Sequence, residues 1–222
     1  MRAIVALVLA LLVLAAGCGG GDDDGGSTTT TTTAGAGSGE CESVDAPAPR
    51  DPETRSEATI VLLDTATSYA LVFETNCGSF TIALDLEQAP NTSASLVALA
   101  RDGYFDDTIF HRVVPDFVIQ GGDPTQGGGG GPGYQTVDAP PPGSKYVKGV
   151  VAMAKTELEP AGTAGSQFFV VTGADIGLPL EYAVVGKVTE GLETVRAIDN
   201  LGVGDGPPSQ PVVVESVTVR KS

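Results

Sequence analysis

The chain has no tryptophan, a single histidine, three cysteines, and only 12 Lys and Arg set against 28 Asp and Glu. Each shortage removes a class of function. With His111 as the only histidine, a zinc site built on two imidazoles is impossible, and no Cys-x-x-Cys pair exists to replace it. A Ser-His-Asp hydrolase would depend wholly on His111. The formal net charge of −16 opposes bulk-charge binding to nucleic acid or anionic lipid, since both are negative. The longest apolar run, Ala3 to Ala16, is too short for a helix that must cross about 20 residues of bilayer. What remains is a 222-residue chain, 41% hydrophobic and 18% charged, with room for one ordinary domain plus extensions. Its 30 glycines favour turns and loops over long helices.

Residues 1–17, with Arg2 ahead of the apolar run, read as a secretory signal. Leu14-Ala15-Ala16-Gly17-Cys18 resembles a bacterial lipobox, which implies acylation of Cys18 and a lipid anchor at the outer face of the cytoplasmic membrane or cell envelope. The alternative is a plain signal peptide with an incidental cysteine. Residues 18–57 read as a disordered tether: the Gly, Asp, Ser and Thr of 19–39 can bury nothing, and three prolines continue the polar spacer beyond them. The first part, about 21 residues of flexible coil, would reach roughly 25 Å. With Cys18 assigned to lipid, Cys41 and Cys77 are left, and export permits oxidation, so a disulfide between them is expected against the alternative of two free thiols. The folded domain is expected over residues 58–222.

Within that domain the alternation of apolar and polar residues predicts strands at Tyr69–Glu74 and Ser79–Leu84, with Asn76-Cys77-Gly78 as their turn. Pro90–Arg101 reads as a helix that Asn91 or Thr92 can cap. Further strands are expected in Tyr146–Ala154, Gln167–Thr172, Tyr182–Val188 and Pro211–Arg220, with a short helix at Leu192–Ile198. Gly127–Gly131 lacks the Lys-Ser/Thr pair and following helix of a phosphate loop, so it reads as a mobile loop. Short strands with two helices argue for a mainly β, closed antiparallel barrel.

Phe110–Asp123, FHRVVPDFVIQGGD, carries the most information. Counting in twos, Arg112 and Val114 face one way and His111 and Val113 the other, until Pro115-Asp116 interrupts. Beyond it, Val118 and Gln120 share one face and Phe117, Ile119 and Gly121 the other. The stretch therefore predicts two short strands joined at a bend that lets Arg112, Phe117 and Gln120 converge. On pattern alone, an amphipathic strand pair with a solvated Arg and Gln is equally allowed. His111, opposite Arg112, reads as scaffold.

FHRVVPDFVIQGGD resembles the signature of the cyclophilin family of peptidyl-prolyl isomerases. FETNCGSFTIALDLEQAPN (Phe73–Asn91), GVVAMAK with GSQFF (within Gly149–Phe169) and YAVVGKV (Tyr182–Val188) resemble the same family in the same order. The likeness covers roughly Tyr69–Arg220. It implies an eight-stranded closed barrel capped by two helices, X-Pro isomerisation, proline-containing polypeptides as clients, a monomer, and neither cofactor nor metal. By resemblance Arg112 is the catalytic arginine, Gln120 holds it and the substrate backbone, and Phe117, Val118, Phe169 and Leu178 seat the proline ring. Gln167 and the backbone around Ala154 and Lys155 match the groove for the preceding residues. Departures stand at Gly177, where better-known members often have tryptophan, at Tyr182 for a histidine, at Lys155 for an asparagine, and in a longer loop from Lys155 to Gly165.

The amino-acid inventory suits that chemistry, because rotation about X-Pro needs only relief of the amide resonance behind a barrier of about 18 to 20 kcal/mol. Three readings follow: an exported, lipid-anchored isomerase for proteins folding outside the cytoplasm, a chaperone or scaffold that binds proline segments with little catalysis, and a purely structural surface lipoprotein.

Overall fold

The structure, a computed structural model, describes residues 40–53, 55 and 61–222. The expected signal segment, the lipidation site Cys18 and the tether up to residue 39 lie outside the described residues, as does residue 58, where the domain was expected to begin.

A hairpin opens the fold, β1 (Tyr69–Thr75) and β2 (Gly78–Leu84), followed by helix α1 (Pro90–Arg101). Three short strands come next, β3 (Thr108–Ile109), β4 (Arg112–Val114) and β5 (Val118–Gly121), then β6 (Thr136–Val137), β7 (Val150–Met153), β8 (Thr163–Ala164) and β9 (Phe168–Val171). β10 (Val184–Glu190), helix α2 (Leu192–Asp199) and β11 (Val213–Lys221) complete it.

Nine strands form one antiparallel sheet in the order β3-β11-β1-β2-β10-β7-β9-β5-β4, and β6 pairs with β8 separately. This corrects the expected closed, eight-stranded barrel: the sheet is strongly curled but open, a half-barrel. Its edge strands β3 and β4 are consecutive in the chain, and the two residues of β3 are already paired with β11. No ladder joins β3 to β4 among the described residues, where the isolated bridge Ile109↔Asp123 links β3 to the chain just beyond β5.

The concave side holds an aromatic cluster. Phe73 stacks on Phe80 at 4.9 Å between centroids, and Phe168 meets Phe110 edge-on at 6.0 Å. Val113, Ile119, Val170 and Val151, paired in that order across β4, β5, β9 and β7, complete one row of this core.

Helix α1 carries Pro at its first turn, but neither Asn91 nor Thr92 caps it as expected. The partner is remote: the Asp138 carboxylate accepts from Thr92 N (2.6 Å), Thr92 Oγ1 (2.6 Å) and Asn91 Nδ2 (2.9 Å). A carboxylate at the helix N-terminus satisfies free N–H groups and meets the positive end of the dipole.

The segment from Glu40 to Arg55, expected as the end of the disordered spacer, is packed on the domain wherever it is described. Cys41 is bonded to Cys77 at 2.02 Å. Glu42 N donates to Asn76 O, Arg50 N to Pro124 O and Arg55 N to Pro132 O, at 2.8 to 3.0 Å. The Arg50 and Arg55 guanidinium carbons lie 5.5 and 5.1 Å from the centroid of the Tyr104 ring. Composition alone hid this, because the prolines that made the segment look like a spacer also lower the entropy lost when it is fixed.

Candidate active site

The site grows from the β4–β5 hairpin. Pro115 and Asp116 turn the chain back, Asp116 sitting at φ +55°, and the register that results sets Arg112 directly opposite Gln120. Directly opposed residues share a sheet face. Gln120 is opposite Phe169 on β9, and Phe169 is opposite Ala152 on β7, so a row runs Arg112, Gln120, Phe169, Ala152 on the convex side. The core row lies on the other face. Phe168 and Phe169 accordingly belong to different apolar clusters, as their alternation requires.

Around Phe169, 4% exposed, and Val118, 2% exposed, stand the partly buried Phe117, Leu178 and Tyr182. Phe117 escapes the strand parity because it follows the left-handed Asp116. Tyr182 meets Phe169 edge-on at 5.6 Å, and the Tyr146 hydroxyl fixes the Tyr182 backbone by donating to its carbonyl (2.8 Å) and accepting from its N–H (3.0 Å). The result is an apolar seat beside a cation.

A polar chain crosses the same face. Arg112 Nη1 donates to Gln120 Oε1 (3.3 Å), Gln120 Nε2 to Gln167 Oε1 (3.1 Å), and Gln167 Nε2 to the carbonyls of Gly128 (3.0 Å) and Gly130 (2.8 Å). Both amides are thereby oriented. Beyond Gln120 opens a groove of roughly 580 Å³, lined by Gln167, Ala154, Lys155, the Gly128–Gly133 run and Pro52-Glu53 of the N-terminal strap.

The glycine run, expected to be mobile, is tied down. Buried Asp123 accepts from Thr125 N (2.7 Å), Thr125 Oγ1 (2.8 Å), Gly128 N (2.6 Å) and Gly130 N (3.1 Å). Burial pushes the Asp123 carboxyl up, but these donors outweigh it and hold it below the usual carboxylate range. A Cβ at Gly130 would stand 2.1 Å from Asp123 Oδ1, so the wrap requires glycine there.

Lys155 faces the groove with its backbone, while its side chain is 2% exposed and committed elsewhere. Its Nζ pairs with Glu181 (3.0 Å), donates to the carbonyls of Thr156 and Glu159, and lies 5.5 Å from the centroid of the Tyr182 ring. It braces the long loop that follows. His111 sits behind Arg112 against the glycine run, with both ring nitrogens buried and unpartnered among the described residues. It is packing scaffold, and burial lowers its pKa.

Two contributors were absent from the sequence reading. The strap was set aside as spacer. Asp205 lies in a Gly-rich turn that carries no local signal of a role, yet its carboxylate grips Arg112 with Nε–Oδ1 at 2.5 Å and Nη2–Oδ2 at 3.0 Å. Among the described residues no His, Cys, Asp and Glu cluster could hold a metal ion.

With this geometry in view, the comparisons with known proteins are decisive. Residues 70–219 match the family described as cyclophilin type peptidyl-prolyl cis-trans isomerase. The chain belongs to that family. It is 37% identical over 176 residues to peptidyl-prolyl cis-trans isomerase A of Mycobacterium tuberculosis, covering 71% of this chain and 93% of the relative. It is 35% identical over 157 residues to peptidyl-prolyl cis-trans isomerase-like 1 of Gibberella zeae, covering 68% of this chain and 95% of the relative. The crystal structure of a Cryptosporidium parvum cyclophilin type isomerase superposes with a TM-score of 0.64 at 31% identity, covering 69% of this chain and 98% of that one. The same protein in the presence of the dipeptide Ala-Pro superposes at 0.63 and 32% identity, covering 68% of this chain and 98% of that one. This cyclophilin therefore shares the mainly β, two-helix architecture of its relatives.

Proposed function

We propose that this cyclophilin accelerates cis/trans exchange about X-Pro bonds of polypeptides folding outside the cytoplasm, with the row from Arg112 through Gln120 to Phe169 as its catalytic surface. The juxtaposition of one fixed guanidinium and one apolar seat carries the reading. The proline ring rests on Phe117, Val118, Phe169 and Leu178, with Tyr182 closing the side, and the residues before it lie along Gln167 and the Ala154–Lys155 backbone. As the amide twists, the prolyl nitrogen regains a lone pair, and an Arg112 N–H not used by Asp205 or Gln120 donates to it. An interaction stronger in the twisted state than in either planar state lowers the barrier in both directions.

The likeness of a relative crystallised with Ala-Pro supports a proline-containing client. The apolar run before Cys18 and the Cys41–Cys77 bond support export and a lipid anchor, since such bonds persist in oxidising compartments. Replacement of Cys18 by Ser should release the protein from the membrane fraction; unchanged retention removes the anchor from the proposal.

The test of function is an isomerisation assay on a short X-Pro peptide with the purified chain and Arg112→Ala. We expect the variant to stay folded and to lose about 10² to 10³ in kcat/KM, the cost of one preorganised donor. If neither protein accelerates exchange although both are folded, the groove is a binding site for proline segments; if both accelerate it equally, Arg112 is not the catalytic donor.

A further inference from the structure

We infer that Asp205 is a positioning residue of this site, holding the Arg112 guanidinium in the orientation that presents Nη1 to Gln120 and the substrate. The inference rests on the isomerase reading above and adds a residue that the strand pattern does not contain.

Arg112 stands on β4, an edge strand, and its side chain is 31% exposed. A long flexible cation on an edge needs more than one contact to be fixed. Gln120 provides a single bond of 3.3 Å to Nη1, which leaves the guanidinium free to rotate about that contact. Asp205 removes the freedom, because two parallel bonds to Nε and Nη2 define the guanidinium plane. Unassigned N–H groups remain on Nη1 and Nη2 for a substrate.

The carboxylate is itself held in place. Val113, next to Arg112, donates its N–H to Gly206 O at 2.8 Å, so the loop after α2 continues the hydrogen bonding of the sheet edge. Ser209 N donates to Leu201 O at 2.8 Å and closes the base of that loop. Gly202 lies so close to Pro115 that a Cβ there would stand 2.7 Å from the proline ring. The segment that carries Asp205 is therefore docked along β4, at Val113 in its middle and at Pro115 just beyond its end.

Exposure argues for alignment over neutralisation or folding. The Asp205 side chain is 67% exposed, so water screens its charge and the pair adds little to stability. A pair that contributes little to folding but fixes the plane of the reacting cation acts on turnover.

The test compares Asp205→Ala, Asp205→Asn and Asp205→Glu with the wild-type chain in the same assay, with melting curves and the NMR resonance of the Arg112 Nε–H group. Asp205→Ala should melt as the wild type does and lose about three- to tenfold in kcat with KM little changed, as for an exposed charge-assisted pair. Asp205→Asn should fall between, and Asp205→Glu should recover most of the rate. The Nε–H resonance should exchange faster with water in Asp205→Ala. In an Arg112→Ala background the same substitution should remove nothing more. An Asp205→Ala protein with wild-type or higher kcat overturns this inference alone. A wild-type chain without isomerase activity overturns the proposed function and this inference with it.

Discussion

The two halves of the groove are made by different means. The proline seat is sheet: Val118 and Phe169 stand on neighbouring strands, and Phe117 and Tyr182 lie next to strand ends. The other half is loop and strap: the glycine run wrapped on Asp123, the braced loop after Lys155, and Pro52-Glu53 from a segment more than a hundred residues before Gln167. Gln120 borders both. The first half shares its backbone with the core, whose row of Val113, Ile119, Val170 and Val151 is on the reverse of the same strands. The second half can change without the core noticing. Binding surfaces carried on loops over a rigid sheet have that freedom in general.

The comparison breaks first, and with the largest effect, at Phe169. Truncation to Ala empties the centre of the seat and leaves a cavity against Val118 and Tyr146. We expect a loss of about 3 to 5 kcal/mol in stability, visible as a lower denaturant midpoint at unchanged slope, together with a loss of isomerase activity at temperatures where the variant is still folded. A variant as stable as the wild type would show that the seat is separable from the fold, and the contrast between the halves would fail.

The loop half should answer differently. Gln167→Leu keeps much of the side-chain volume but cuts the bonds to Gln120, Gly128 and Gly130. We expect KM for an X-Pro peptide to rise about three- to tenfold, the worth of one or two net hydrogen bonds, with kcat reduced less and the melting temperature nearly constant. A large fall in stability would mean that the glycine run supports the core after all.

This division also separates what the sequence made legible from what it did not. The seat and its cation could be placed because a two-residue period fixes which side chains share a face: Arg112 and Gln120 were brought together by counting across Pro115, and Phe168 was separated from Phe169 by one step. The register that aligns them with Ala152 was not readable, since it depends on pairing between strands far apart in the chain. The open edge escaped for a related reason, because two-residue strands such as β3 carry no periodic signal. Asp205, Asp138 and Asp123 were missed because each acts on a segment distant in sequence or through backbone N–H groups that no side-chain pattern records. The strap was misread on composition: proline and charge look alike in a spacer and in a segment fixed by a disulfide and two arginines over Tyr104.

The smallest expected effect lies at the seam between the halves. The ring nitrogens of the half-buried His111 lie against the glycine run, and burial, reinforced by Arg112 and opposed by Asp123, sets its pKa below the ordinary histidine value of 6.5. The unfolded chain therefore takes up a proton near pH 6.5 that the folded chain refuses. Stability from this group is complete above that pH and declines as the pH falls towards the lowered folded value. Because no other histidine exists in the chain, the slope between neutral pH and the carboxylate range belongs chiefly to His111. The depressed Asp123 acts in a separate and more acidic window, where protonation would release the donors of Thr125, Gly128 and Gly130. Denaturant melts between pH 7.5 and about 5 should show a shallow fall that His111→Phe flattens, with the loop half loosening first in hydrogen exchange at Gly128 and Gly130. A His111→Phe protein with the same slope would place the titrating group elsewhere and detach the histidine from the loop it packs against.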